Sequence, residues 1–224
     1  MRVAALITGG KDSTLALHRA LKQEHEVKHL VTMIPQRRDS WMFHSVNIHL
    51  TDLVAEAVGV PLVKSETSGI KEVEVGDLKN LLATLDIDGV VSGAILSTYQ
   101  KTRIDSICRE LNLKSIVPLW CEDSMALLKE MIGLDFETIF VGVYAHGFDD
   151  SWLGRRIDSV AIQDLARLNM LYQVSPIGEG GEYETLVLDA PIFEKRIKLL
   201  QIEKVWEDQA GYLLVKRAKL VDKN

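Results

Sequence analysis

Near the start of the chain, Thr8-Gly9-Gly10-Lys11-Asp12-Ser13-Thr14 follows the apolar run Val3-Ala4-Ala5-Leu6-Ile7. Two consecutive glycines let the backbone take positive φ and leave room for a ligand. If a strand ends here and a helix begins, the loop amides, the helix N-terminus and the Lys11 ammonium present positive charge to one point, a phosphate site. In that reading Thr8 offers a hydroxyl, Gly9 and Gly10 admit a close approach, and Lys11 pairs with phosphate charge. Ser13 donates its hydroxyl and amide. Asp12 either caps the helix or coordinates Mg2+. The spacing is not that of a Walker A loop, because Asp12 follows Lys11 and Ala5 stands where the first glycine would fall.

Such a loop needs a strand and a helix to hold it, and the first half supplies both repeatedly. The spacing predicts strands at Arg2–Ile7, Val27–Ile34, Pro61–Ser65, Gly89–Ser92 and Ser115–Val117. Helices are expected at Ser13–Gln23, Val46–Val58, Val73–Leu85 and Thr102–Leu111. This alternation implies a parallel sheet with helices on both faces, which binds ligands at the carboxyl ends of its strands. From about Pro118 the rhythm changes. Helices are expected at Ser124–Met131 and Val160–Asn169, with strands at Thr138–Tyr144, Thr185–Leu188, Leu199–Trp206 and Tyr212–Arg217, forming a more antiparallel sheet. We therefore divide the chain at 1–118 and 119–224. Of the 224 residues, 47% are apolar, enough for a proper core. The net charge of −6 argues against a polyanion binder and hence against stable nucleic-acid binding. Two cysteines cannot build a disulfide framework, and the six histidines show no metal-ligand spacing. Without a membrane-length apolar run or a signal peptide, a cytoplasmic protein without membrane attachment is expected.

Three further segments accompany the first loop. They are Ser92-Gly93-Ala94-Ile95-Leu96-Ser97-Thr98-Tyr99-Gln100-Lys101-Thr102-Arg103, the pair His146-Gly147-Phe148 and Trp152-Leu153-Gly154-Arg155, and Glu179-Gly180-Gly181-Glu182-Tyr183-Glu184-Thr185 before a strand ending at Leu188-Asp189-Ala190-Pro191. The first loop resembles that of the ATP pyrophosphatase (PP-loop) enzymes, which cleave ATP between its α and β phosphates. The ordered set resembles the diphthine–ammonia ligase (diphthamide synthase) family within them, over nearly the whole chain. The Glu179–Thr185 segment narrows the match, and Thr8 departs from the serine usual in the superfamily.

That resemblance implies an α/β fold, a parallel doubly wound PP-loop (HUP-type) N-terminal sheet with a smaller mixed α/β C-terminal domain. It implies ATP with Mg2+, diphthine on translation elongation factor 2 as the protein substrate, and ammonium as the nitrogen source. The diphthine carboxylate would be adenylated and then amidated, releasing AMP and pyrophosphate. Gly93 and Ala94 would pass close to the nucleotide, while Gln100, Lys101 and Arg103 face the phosphates or the acyl group; the alternative is a solvated basic helix start. Met33 abuts adenine or is a core methionine. Diphthine carries a trimethylammonium group, and carboxylates and aromatic faces recognise such cations. Glu182 and Glu184 are therefore assigned, with Lys11, to catalysis. Tyr183, Trp120 and Trp152 are cage candidates, against the alternatives of an acidic hairpin and core aromatics. His146 serves a turn or catalysis. No metal ligand is assigned, and homo-oligomerisation stays open. A PP-loop tRNA-modifying enzyme is the rival, opposed by the missing paired cysteines and basic surface; a non-catalytic nucleotide sensor is another.

Overall fold

In the computed structural model, which describes residues 1–36 and 46–223, the first half alternates strand and helix: β1 (Arg2–Leu6), α1 (Lys11–Lys22), β2 (Glu26–Pro35), α2 (Thr51–Val58), β3 (Leu62–Thr67), α3 (Val73–Leu82), β4 (Gly89–Val91), α4 (Thr98–Glu110) and β5 (Lys114–Ile116). The strands form one sheet in the order β3-β2-β1-β4-β5, and every neighbouring pair is parallel. From β1 the chain builds outward to β2 and β3, then returns to the other side of β1 for β4 and β5. Right-handed crossovers put α1 and α2 on one face and α3 and α4 on the other. The second face is filled by Ala4, Val31, Met33 and Val90 from the strands, Leu78 and Leu82 from α3, and Ile104, Ile107 and Cys108 from α4. The expected parallel α/β sheet is thus present.

Its element ends differ from expectation for local reasons. Helix α1 starts at Lys11 with Gly10 in the N-cap position, so Asp12 lies within the first turn and does not cap it. Helix α2 starts only at Thr51, because a 3-10 turn at Ile48–Leu50 precedes it; it ends at Gly59, whose φ is +74°. Helix α4 starts four residues before the expected Thr102, because the Ser97 hydroxyl accepts the Gln100 N–H at 3.3 Å and caps it.

Chain contacts divide the protein into two compact units, Met1–Trp120 and Cys121–Asn224. The second contains α5 (Ser124–Gly133), β6 (Glu137–Val143), α6 (Ser159–Tyr172), β7 (Tyr183–Asp189), β8 (Lys195–Glu207) and β9 (Ala210–Asp222). Asp123 and Asp158 cap α5 and α6, each accepting a main-chain N–H at 2.8 Å. The four strands run β7-β6-β9-β8, antiparallel throughout. Strands β8 and β9 are 13 residues each, longer than expected: β9 buries Gly211, Leu213 and Val215, whereas β8, at the sheet edge, buries only Ile197. The core of this unit includes an aromatic cluster. Trp152 meets Phe140 and Phe148 edge-on at 5.0 and 4.9 Å, and Tyr183 meets Phe140 at 5.0 Å.

Candidate functional site

The strand order of the parallel sheet reverses between β1 and β4, and the loops leaving those strands lead to helices on opposite faces. Open α/β sheets bind ligands in the crevice at such a switch point. The loop after β1 is Ile7–Gly10, with Gly9 in the left-handed region at φ +81°. Hydroxyls hold it closed. The Thr8 N–H donates to Ser13 Oγ at 3.3 Å, the Gly10 N–H to Thr8 Oγ1 at 3.3 Å, and the Ser13 and Thr14 hydroxyls to the Gly10 carbonyl at 3.1 and 2.9 Å. Ser13 thus builds the loop, and the Thr8 hydroxyl points into this web. Because the N-cap is a glycine, no side chain caps the first turn of α1. Such a helix start suits a phosphate. Lys11 is 3% exposed, and its ammonium lies 2.9 Å from Asp12 Oδ2. A charge of this kind, held at a helix start, complements a polyphosphate.

The loop after β4 packs on this one through Gly93. A β-carbon there would stand 2.8 Å from the carbonyl carbon of Asp12 and 2.8 Å from the Ser13 nitrogen, so only glycine lets the two turns meet. Ser92, one residue earlier, is 3% exposed, and its hydroxyl has no hydrogen-bond partner among the described residues. A buried, unsatisfied hydroxyl beside a glycine contact fits a ligand group at this edge. Ala94 is buried.

In the second unit, the C-terminal end of β6 and the N-terminal end of β7 meet. Val143 pairs with Tyr183, and the Tyr144 N–H donates to the Glu182 carbonyl at 2.9 Å. The Glu182 carboxylate folds back on its own loop, accepting the Ser175 N–H at 3.0 Å and the Gly180 N–H at 2.8 Å. Tyr183 is 2% exposed and donates its hydroxyl to the Pro176 carbonyl at 2.6 Å. Gly178, at φ +73°, lies against that ring, where a β-carbon would come within 2.9 Å. The Glu179–Thr185 segment is therefore a tightly built loop with Tyr183 as its inward anchor and Glu182 as its clasp.

Residues 1–115 match the family described as Diphthamide synthase N-terminal domain, and residues 123–221 that described as Diphthamide synthase C-terminal domain. The chain belongs to the diphthamide synthase family. Among curated relatives, a diphthine–ammonia ligase of Rattus norvegicus is 38% identical, over 88% of this chain and 82% of the relative. That of Homo sapiens is 37% identical over the same shares. That of Schizosaccharomyces pombe is 38% identical over 96% of this chain, which spans only 39% of that longer protein. Among solved structures, the U34-tRNA thiolase NcsA from Methanococcus maripaludis, with its [4Fe-4S] cluster, gives a TM-score of 0.38 at 15% identity, over 81% of this chain and 70% of that one, a likeness too distant to bear on activity.

In this diphthamide synthase chain, Thr8, Gly9, Gly10, Lys11, Asp12, Ser13 and Gly93 come together at one sheet edge. The other expected residues of the first unit sit differently. Arg103 pairs with the Glu72 carboxylate and stacks on Tyr99, its guanidinium carbon 3.5 Å from the ring centre. Lys101 pairs with Asp105 and lies 5.3 Å from the Trp120 ring centre. Gln100 contributes its N–H to the helix cap. Met33 is 3% exposed in the core behind the sheet, which favours the packing alternative. In the second unit, Tyr183 and Trp152 cannot form a surface cage, because both are buried in the aromatic core. His146 has Nδ1 3.5 Å from Gln209 Oε1, and its ring meets Tyr172 edge-on at 4.8 Å, a turn-holding arrangement. Glu72, which with Tyr99 holds Arg103, lies outside every motif of the sequence. So does Tyr144; its one sequence signal is Gly142, a glycine inside an apolar strand.

Proposed function

We propose that this chain is an ATP-dependent ligase that converts diphthine on translation elongation factor 2 to diphthamide, with ammonium as nitrogen donor and AMP and pyrophosphate as products. The carrying observation is the glycine loop at the switch point, where Lys11 and an uncapped helix start lie beside the Gly93 turn, in a chain of this family. In this reading residues 1–118 bind ATP and 119–224 the protein substrate. The diphthine carboxylate oxygen attacks the α-phosphorus and pyrophosphate leaves. Ammonia then attacks the acyl carbon, loses a proton, and AMP departs with the C–O bond electrons. A carboxylate alone is a poor electrophile, and adenylation supplies the leaving group.

The chain's own contribution is positioning and charge neutralisation. Lys11 and the first-turn amides of α1 take up phosphate charge, Ser13 and Thr8 keep the loop shut around it, and Gly93 holds the second turn in place. Among the described residues, no three His, Cys, Asp or Glu side chains are grouped to hold a metal. Mg2+ would therefore ride on the nucleotide, with Asp12 the carboxylate nearest to hand, and would neutralise the departing pyrophosphate. Glu182 acts by shaping its loop, and Glu184, half-buried on β7, is the carboxylate assigned to the cationic substrate. No helix among the described residues is long and apolar enough to cross a membrane, and a cytoplasmic site of action is part of this reading.

Product analysis tests it. Chromatography of a completed reaction is expected to show AMP and pyrophosphate rising in step with amide. ADP and orthophosphate in that role would overturn the reaction class, and bound ATP without turnover would make the chain a nucleotide sensor.

A further inference from the structure

Aromatic faces beside carboxylates recognise organic cations, and the second unit holds such a combination apart from the buried Tyr183 and Trp152. Tyr144, the residue after β6, folds its ring back over Gly142. A β-carbon on Gly142 would lie 2.4 Å from Tyr144 Oη and 2.8 Å from Cζ. Gly142 is directly opposed to Tyr212 of β9, and directly opposed residues of an antiparallel pair send their side chains to the same face. Both tyrosine rings therefore stand on one face of the sheet, brought together by a strand glycine that leaves space for one of them.

With the β8–β9 turn, these rings line a cavity of about 340 Å³ formed by Tyr144, Tyr212 and residues 207–211. That volume falls at the small end of the roughly 300–1,000 Å³ range of small-ligand sites. Among the described residues its lining includes the acidic Glu207 and Asp208 with Gln209, and no Lys or Arg. Two negative charges disfavour an anion. Two tyrosine rings in the lining favour a cation whose charge is spread over alkyl groups and which sheds water cheaply.

We infer that this cavity binds a quaternary ammonium group. This rests on the proposed function in one respect, that the occupant in the reaction is the trimethylammonium group of diphthine. The cavity lies at the sheet end that carries Glu182: Val143 pairs with both Tyr183 and Gly211, so the β7 and β9 starts flank the same β6 end.

Tetramethylammonium chloride is the probe, titrated into the full chain against sodium chloride at matched ionic strength, with tyrosine ring protons followed by NMR. Saturable shifts of the Tyr144 and Tyr212 signals are expected. Tyr144→Leu and Tyr212→Leu should each weaken binding roughly three- to tenfold, while Tyr144→Phe, which keeps the ring face, stays close to wild type. In the amidation assay the leucine variants should raise KM for the protein substrate and leave ATP affinity unchanged. Shifts equal to those of sodium chloride, or leucine variants that bind as well as wild type, would overturn the assignment. The two readings fail separately. Amide formation by a chain that ignores tetramethylammonium removes the cavity assignment alone. Tetramethylammonium seated on both tyrosines, in a chain that never forms amide, removes the ligase reading and leaves the cavity.

Discussion

Gly93 and Ser13 meet backbone to backbone: a β-carbon on Gly93 would lie 2.8 Å from the Ser13 nitrogen. The two loops at the switch point thus touch through main chain, and neither can shift without the other. Gly93→Ala must push the β4 turn away from α1. We expect a lowered melting temperature and ATP binding weakened by at least an order of magnitude, read by calorimetry. Gly76→Ala is the control. Gly76 lies exposed inside α3 with nothing within 4 Å of its added carbon, so alanine there should stabilise by about 0.5–1 kcal/mol.

Lys11→Ala removes a buried cation from the glycine loop. A charge-assisted contact is worth roughly 1.5–3 kcal/mol, so ATP affinity or turnover should fall sharply. Unchanged affinity together with unchanged turnover would take this loop out of the mechanism.

Glu182 and Glu184 should separate. Both Glu182 oxygens accept main-chain N–H groups, and an amide can accept at only one of them. Glu182→Gln is therefore expected to loosen residues 175–182, seen as faster hydrogen exchange at Ser175 and Gly180. Glu184→Gln should leave that exchange unchanged and slow amidation. The double variant should bind ATP nearly as wild type and form no amide. Wild-type amidation by the double variant would reduce the segment to a structural loop.

The cysteines should differ in reactivity. Burial, aided by the Asp105 charge, pushes the Cys108 thiol up to about 11, whereas Cys121 is exposed. A thiol reagent should modify Cys121 in the native protein and reach Cys108 only after unfolding. The sign of the linkage follows: the Cys108 contribution to stability is intact below its unfolded value of 9.0 and is lost as pH rises toward 11. Urea midpoints across that interval should fall, and more steeply than in Cys108→Ala.

The glycine loop was legible in the sequence because its parts are consecutive: an apolar strand, two glycines, a lysine and hydroxyls. The helix starts were less so. Asp12 resembles a cap, but Gly10 holds the position, and the polar run from Ser97 hides where α4 begins. In the second unit, the sequence marks Tyr183 as part of the glutamate-rich segment, yet it cannot say what Tyr183 meets. Its partners, Phe140 and Pro176, are fixed by strand register and loop path. The Tyr144–Tyr212 pair was invisible for the same reason, since it depends on Gly142 being opposed to Tyr212 across two strands far apart in the chain.

The central claim is that this chain amidates diphthine at the expense of ATP. Incubating it with diphthine-bearing elongation factor 2, ATP and ammonium, and following the modified residue by mass spectrometry, tests that claim most directly. Conversion of the carboxylate to the amide is expected, dependent on ATP and ammonium and lost in Lys11→Ala. A folded, ATP-binding chain that leaves the carboxylate unchanged would contradict it.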